Sequence, residues 1–182
     1  MSSHDQPADR AGIQKEIRNR KKGKWGRFFL RWGMTGGVLF VLFLFIIQIV
    51  PYHGIGMYPS IRDGDLVVIY RAGSYRIGDV IRYKDTEGTY RLGRIAATGN
   101  EVVEIEDSGE WTRNGDVPND FEFYATGEAA DSPVVFPYTV SNNTYFILND
   151  YRMETHDSRL FGSVPAEQIT GRVIFVFRIR GI

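Results

Sequence analysis

Apolar residues along this chain form one long run near its start and several short runs after it. Residues 34–50 carry no charge, and the uncharged stretch 32–50 is nineteen residues long. At about 1.5 Å of rise per residue, a helix of this length is close to the roughly 30 Å hydrocarbon core of a bilayer. The pattern therefore predicts a transmembrane helix over 32–50, which divides the chain into residues 1–31 and residues 51–182.

The short apolar runs after residue 51 are rich in β-branched residues and lie at 66–70, 80–83, 102–105, 144–148 and 173–177. Turn-forming pairs separate them: Asp63-Gly64, Gly78-Asp79, Gly99-Asn100, Asn114-Gly115 and Asn142-Asn143. Short strands punctuated in this way predict a mostly β, antiparallel domain over 51–182. Residues 107–140 are irregular and rich in Gly, Pro and acids, and we expect hairpins and loops there.

Charge supports a membrane anchor. Residues 1–31 carry nine Lys and Arg against three acids, whereas residues 51–182 carry thirteen against nineteen. The positive-inside rule predicts a cytoplasmic, basic and partly disordered segment 1–31 and an extracytoplasmic β domain in the plasma membrane of the cell. A nucleic-acid partner is not expected, because the basic run stops at the apolar stretch. The sequence Pro51-Tyr52-His53 lacks the small residues of a signal cleavage site, which favours an uncleaved anchor.

Cysteine is absent from the chain. Disulfides, thiolate metal sites and a cysteine nucleophile are therefore excluded.

Two motifs bracket the predicted β domain. The first is H-G-I-G-M-Y-P-S-I-R-D-G-D-L-V over residues 53–67, just after the apolar run. The second is N-D-Y-R-M-E-T-H-D-S-R-L-F-G-S-V-P over residues 149–165, followed by I-T-G-R-V-I over 169–174.

These motifs resemble the bacterial type I signal peptidase family (peptidase family S26) of the compact Gram-positive type. The first resembles the family's nucleophile segment, G-x-S-M-x-P-[ST]-L-x-x-G-D-x-V, with matches at Gly54, Met57 and Pro59. The family's nucleophilic serine is replaced by Gly56. The second resembles G-D-N-R-x-x-S-x-D-S-R-x-F-G-x-V-P, and the resemblance implies a signal-peptidase-like fold for the whole domain.

The resemblance implies a serine nucleophile with a lysine base, because a serine hydroxyl needs a neighbouring base and a lysine acts as one only when neutral. No lysine stands at the base position. The register that aligns Arg94 with the family's arginine places Gly93 there, and we favour it; an ungapped register places Leu92 there. Lys84 matches a different strand and is expected to be solvated.

Other chemistry is weakly supported. Arg91 and Arg94 cannot act as bases, because a guanidinium stays protonated. A Ser-His-Asp triad or a metal site drawn from Ser60, His53, His156 and Asp157 is not expected, and neither is a cofactor. The resemblance implies instead that Asp157 and Arg159 pair to brace the site, with Ser158 beside them and Thr155 at the position of a serine near the lysine.

The sequence therefore retains the family's scaffold and lacks both members of its dyad. It predicts a membrane-anchored, non-catalytic protein that binds exported polypeptides. The resemblance to inactive relatives in pilus assembly implies pilin subunits or a sortase as partners. The alternative is an active type I signal peptidase, a serine endopeptidase that removes signal peptides from exported preproteins through residues not identified from the sequence. A structural remnant without a partner is a third possibility.

Overall fold

A computed structural model describes residues 28–41, 43–118, 124–130 and 132–178. The chain separates into two compact units, residues 1–45 and 46–182. In the first, helix α1 (Phe28–Ile46) has 19 residues and is long and apolar enough to cross a membrane. The expectations for a basic, partly disordered segment up to residue 27 lie outside the described residues.

The second unit is mostly antiparallel β. Its strands are β1 (Ile47–Pro51), β2 (Leu66–Tyr70), β3 (Val80–Lys84), β4 (Tyr90–Thr98), β5 (Val102–Ile105), β6 (Trp111–Arg113), β7 (Tyr138–Thr139), β8 (Thr144–Leu148), β9 (Val164–Pro165) and β10 (Ile169–Phe177). A short helix α2 (Ser158–Phe161) precedes β9, and a 3₁₀ turn (Ala166–Gln168) follows it.

Seven strands form one curled sheet in the order β1-β2-β10-β3-β4-β8-β9, and β6-β5-β7 form a second, smaller sheet. Every pairing is antiparallel. Register shifts interrupt β4 between Ile95 and Ala97 and β10 between Val173 and Phe175. Such shifts bend a strand and increase its twist. The curl brings β1 and β3 together, although β2 and β10 separate them in the sheet: Arg82 Nη1 donates to Gln48 Oε1 at 3.1 Å.

The core consists of three apolar clusters along the large sheet. The one nearest the first motif includes Met57, Ile61 and Leu92. A central cluster includes Tyr83, Ile95 and Ile147. The third, which includes Trp111, joins the two sheets.

The antiparallel β architecture predicted from the sequence is confirmed, and all five predicted runs are strands. The boundaries of the apolar helix differ from the expected 32–50. The helix ends at Ile46, because Ile47–Pro51 pairs with Leu66–Tyr70 to form the edge of the sheet. Apolar composition alone could not separate these residues from the helix, since a half-buried strand and a membrane helix both favour Ile and Val.

Candidate active-site cleft

A cleft of about 430 Å³ opens between the end of β1 and strand β4. One wall is formed by residues 50–56, which include the start of the first motif. The opposite wall carries Arg82, residues 89–92, Asn149, Glu154 and His156. The cleft therefore brings both sequence motifs to one place, around Gly56.

Gly56 lies in the loop after β1, and its carbonyl accepts the Tyr151 N–H at 2.9 Å. A Cβ added at Gly56 would lie 3.1 Å from Asn149 Oδ1 and 3.2 Å from Asn149 Cγ. The amide of Asn149 is itself held, because Nδ2 donates to the Glu154 carbonyl at 3.0 Å. The side chain of Asn149 therefore fills the space beside Gly56.

Gly93 and Leu92 face opposite sides of β4. Leu92 is buried with Met57 and lines the cleft. A Cβ at Gly93 would lie 2.5 Å from Ile147 Cγ2 and 3.4 Å from Tyr83 Cε1. Since real Cβ atoms essentially never come within 3.0 Å of another heavy atom, any side chain at 93 requires Ile147 to move.

Tyr83 is fully buried, and its hydroxyl has no hydrogen-bond partner among the described residues. Burial raises the pKa of this hydroxyl well above its ordinary value, and the charge of Asp157 raises it further. A tyrosine with so high a pKa stays neutral and cannot serve as a base near neutral pH. The ring of Tyr83 therefore fills space on the side of Gly93 where a side chain would project, but its hydroxyl cannot act there as a base.

The frame residues are Thr155, Asp157, Ser158 and Arg159. Arg159 Nε and Nη2 donate to the two oxygens of Asp157 at 2.9 and 2.8 Å, and neither side chain is exposed. Arg159 also donates to three backbone carbonyls. Such saturation is what allows an ion pair to be buried.

The frame reaches the residues beside both glycines. The Asn149 N–H donates to Asp157 Oδ2 at 2.9 Å, and the Ile147 N–H donates to Ser158 Oγ at 2.9 Å. Thr155 is partly buried, and its carbonyl accepts the Asp157 N–H. The frame thus orients the end of β8, which contains Ile147 beside Gly93 and is followed by Asn149 beside Gly56.

The remaining positions of the first motif shape the loop. Met57 is fully buried, and its N–H donates to the Tyr52 hydroxyl at 3.1 Å. Gly54 has a φ of 131°, which only glycine adopts readily, and its N–H donates to Asp63 Oδ1. Pro59 is partly buried at the following turn. These residues fix the backbone around position 56.

Asp85 lies behind the cleft wall and contacts three residues that line it, Thr89, Arg91 and His156. Its buried carboxylate accepts Arg91 Nε at 2.6 Å and the N–H groups of Glu87 and Thr89. Burial opposes the charge, but these hydrogen bonds together lower the pKa of Asp85 below its ordinary value. His156 Nε2 lies 3.7 Å from Asp85 Oδ2.

The candidate triad does not assemble. His53 lies beside Asp63, His156 lies beside Asp85, and Asp157 is committed to Arg159. No group of three or more His, Asp or Glu side chains in the described part of the chain could hold a metal ion. Lys84 is exposed at the end of β3, over the ring of Tyr90.

Sequence reasoning missed Asn149 and Tyr83 as residues that fill the site. A signal for Asn149 was present in the sequence, because Asn149 stands where the family's pattern G-D-N-R has its glycine. Tyr83 gave no such signal, since a strand tyrosine is ordinary and only the fold shows which position it faces.

Comparisons with known proteins agree with the motifs. A family model described as signal peptidase, peptidase S26, matches residues 25–178. Signal peptidase IB of Staphylococcus aureus (strain Mu50) is 26% identical over 170 residues, which cover 81% of this chain and 88% of that protein. Signal peptidase I T of Bacillus subtilis (strain 168) is 25% identical over 164 residues, covering 82% and 85%.

Among solved structures, a crystal structure of a signal peptidase I from Enterococcus faecalis V583 is similar. It is 23% identical, with a TM-score of 0.46, and the match covers 55% of this chain and 97% of that one.

Proposed function

Because this chain belongs to the signal peptidase family, peptidase S26, we propose that it is a membrane-anchored, non-catalytic member that binds exported polypeptides in its cleft. The family implies exported polypeptides as substrates. In our proposal, this chain binds such a polypeptide without cutting it.

The packing around the two glycines carries this proposal. A serine at 56 would place its Cβ 3.1 Å from Asn149, and any side chain at 93 would meet Ile147 at 2.5 Å. Catalytic groups must be placed within a fraction of an ångström. Both positions therefore lack the reactive side chain, and a side chain would be tight at 56 and would clash with Ile147 at 93, which supports lost catalysis rather than a single odd residue.

Of the two registers, we propose the one that makes Gly93 the base position. The direction in which a Cβ at Gly93 would point faces Ile147, whose N–H donates to Ser158 of the frame. Leu92, in contrast, is buried with Met57 in an apolar cluster. A lysine at 93 would thus project toward the residues that the frame orients, whereas a lysine at 92 would replace a core side chain.

The edge strand β1 supports peptide binding. It pairs only with β2 within the described sheet, so one side of its backbone is unpaired. Residues 50 and 51 of this strand line the cleft. An extended peptide can add to such an edge through main-chain hydrogen bonds, which require neither a nucleophile nor a base.

The helix and the charges support a membrane placement. Helix α1 would anchor the chain with residues 1–31 in the cytoplasm and the β domain outside, in accord with the basic residues before it. Pilin subunits or a sortase are the partners that the resemblance to inactive relatives suggests. Neighbouring pilin and sortase genes would support this choice, and their absence would count against it.

Cleavage of a preprotein tests lost catalysis. The full chain in detergent micelles, incubated with a signal-peptide-bearing preprotein, should give no turnover. Gly56→Ser alone and Gly93→Lys alone should also give none. The combination Gly56→Ser, Asn149→Gly, Gly93→Lys and Ile147→Ala restores the groups together with the space for them and is the variant in which cleavage should appear. The same combination with Leu92→Lys in place of Gly93→Lys is the matched control and should stay inactive.

Crosslinking tests binding. Ile55 lines the cleft and is 58% exposed, whereas Val135 is 77% exposed and lies outside the cleft lining. A photoreactive residue at 55 should capture exported polypeptides in membranes, and one at 135 should not. Equal capture at both positions, or none at either, would contradict the proposal.

The alternative is an active signal peptidase that uses other residues. The contact between His156 and Asp85 favours it, because an acid beside a histidine orients a potential base. No hydrogen bond joins His156 to a hydroxyl in the described part of the chain. Turnover by the unmodified chain that His156→Ala abolishes would establish this alternative and overturn the first.

A further inference from the structure

Arg82 is a cleft residue whose charge lacks an acidic partner. It lies on β3, is partly buried and lines the cleft. No carboxylate lies within ion-pair distance of it among the described residues. A partly buried cation is normally paired, because removing it from water is unfavourable.

The guanidinium of Arg82 is held in a fixed orientation. Its Cζ lies 3.8 Å from the centroid of the Tyr90 ring, and Nη1 donates to Gln48 Oε1 at 3.1 Å. Stacking covers a face of the group, and Gln48 takes one of its five N–H donors. The other donors of the group remain available at its edge, which suits bidentate contact with a carboxylate.

Two other charged side chains that line the cleft are Arg91 and Glu154. Arg91 is bound to Asp85. Glu154 accepts the His156 N–H at 3.2 Å. Near Arg82, in contrast, other positive charges are found. Burial lowers the pKa of Arg82 most, and the positive charge of Arg71 lowers it further. Lys84 lies over the same Tyr90 ring. This end of the cleft therefore favours an anion.

Gln48 places the guanidinium beside the edge at which a peptide would pair. It belongs to β1, so its bond to Arg82 brings the cation next to the unpaired side of that strand. Alternate side chains of an added strand point to the same face of the sheet. A side chain of the bound peptide can therefore reach Arg82 while the peptide backbone pairs with β1.

We propose that Arg82 makes the cleft selective for an extended peptide that carries an aspartate or glutamate side chain at one fixed position. This inference rests on the proposed function, since it assigns a ligand class to the same cleft. It concerns recognition only, and it holds whether the bound peptide is released intact or cut.

A library of short peptides tests the assignment. Every peptide is acetylated at its start and amidated at its end, so that acidic side chains are the carboxylates present. The full chain in lipid nanodiscs captures the peptides, and mass spectrometry identifies them. The variants are Arg82→Met, Arg82→Lys and, as a matched control, Arg76→Met, because Arg76 is exposed and lies outside the cleft lining. Thermal unfolding shows that each variant is folded before binding is measured.

We expect aspartate and glutamate to be enriched at one position by the unmodified chain and by Arg76→Met. The best acidic peptide should bind roughly tenfold or more tightly than its amide counterpart, as a charge-assisted contact provides. Arg82→Met should abolish this ratio, and Arg82→Lys should retain part of it.

Three results would overturn the inference. Binding without any acidic preference, or a preference that persists in Arg82→Met, would refute the role of Arg82 and leave the peptide-binding function intact. A second set of peptides without acidic side chains carries a free carboxylate at its end, and Arg82-dependent binding by this set alone would refute the side-chain assignment. Retention of no peptide above empty nanodiscs would refute the proposed function, and the inference with it.

Discussion

Two neighbouring regions, the frame and the positions of the two glycines, are built in opposite ways. At the frame, Asp157, Ser158 and Arg159 are fully buried, and they hydrogen-bond to one another, to β8 and to several backbone carbonyls. At Gly56 and Gly93 no side chain is present, and the space is occupied by Asn149, Ile147 and Tyr83. The frame is specified by hydrogen bonds, whereas the other region is specified by packing.

This difference separates stability from chemistry within one site. The frame connects the ends of β8 and α2 and would be needed in any folded member, whether or not it cuts a peptide. At positions 56 and 93 the neighbouring side chains of Asn149, Ile147 and Tyr83 occupy space, but they do not supply the hydroxyl and the amine of a serine and a lysine. Substitutions should therefore have large effects on folding in the frame and smaller, neighbour-dependent effects at the glycines.

The largest effect is expected at Arg159. Arg159→Met removes the cation that pairs with the buried carboxylate of Asp157 and should lower the free energy of unfolding by about 3–5 kcal/mol. Thermal or denaturant unfolding of the full chain in micelles measures this. Arg76→Met removes an exposed arginine and should change stability by less than about 0.5 kcal/mol. Equal effects of the two substitutions would show that the frame is not what specifies the fold here.

Gly93→Ala should come next. The added Cβ lies 2.5 Å from Ile147 Cγ2, and such overpacking destabilises a protein by about 1–3 kcal/mol. In an Ile147→Ala background the clash is gone, so the same change should be neutral or stabilising. A double-mutant cycle measures the coupling. Additive effects would mean that Ile147 does not occupy the space beside Gly93.

Asp85 lies behind the cleft wall, and its buried carboxylate is held by hydrogen bonds, as Asp157 is in the frame. Asp85→Asn should lower stability at pH 7 by about 1.5 kcal/mol, because charge-assisted hydrogen bonds are lost. The lowered pKa of Asp85 means that its contribution is complete above the ordinary aspartate value of about 4 and is lost as pH falls below it. Unfolding measured at pH 7 and at pH 3 should show the difference between the two proteins shrinking. A constant difference would assign the effect to shape instead of charge.

The smallest effect is expected at Gly56. Gly56→Ala brings a Cβ to 3.1 Å from the Asn149 amide, which can move by a few tenths of an ångström. We expect a loss below about 1 kcal/mol that disappears in an Asn149→Gly background. Unfolding of both pairs of proteins checks this. A loss as large as that at Arg159 would place Gly56 with the frame and remove the distinction between the two regions.

Much of the fold could be predicted from the sequence. The runs at 66–70 and 144–148 are strands, and turns occur at Asn114 and Asn143, which both have positive φ. Strand β1 could not be predicted, because its residues continue the composition of the apolar helix and only pairing with β2 reveals them.

The site was predictable in its residues but not in its packing. The resemblance of the two motifs to the signal peptidase family indicated Gly56 and implied the pair of Asp157 with Arg159. Ile147 lies beside Gly93, although the two positions are 54 residues apart along the chain. This contact depends on the register of β4 against β8. Periodicity along one strand carries no information about such register.

Asn149 and Ile147 also limit which substitutions this chain can accept at positions 56 and 93. A change that restores only a serine at 56 meets Asn149, and one that restores only a larger residue at 93 meets Ile147. Each change alone therefore meets a neighbour that must give way. Substitutions at 149 and 147 would have to come first to open the space that side chains at 56 and 93 need, so the packing sets an order in which changes at this site can accumulate.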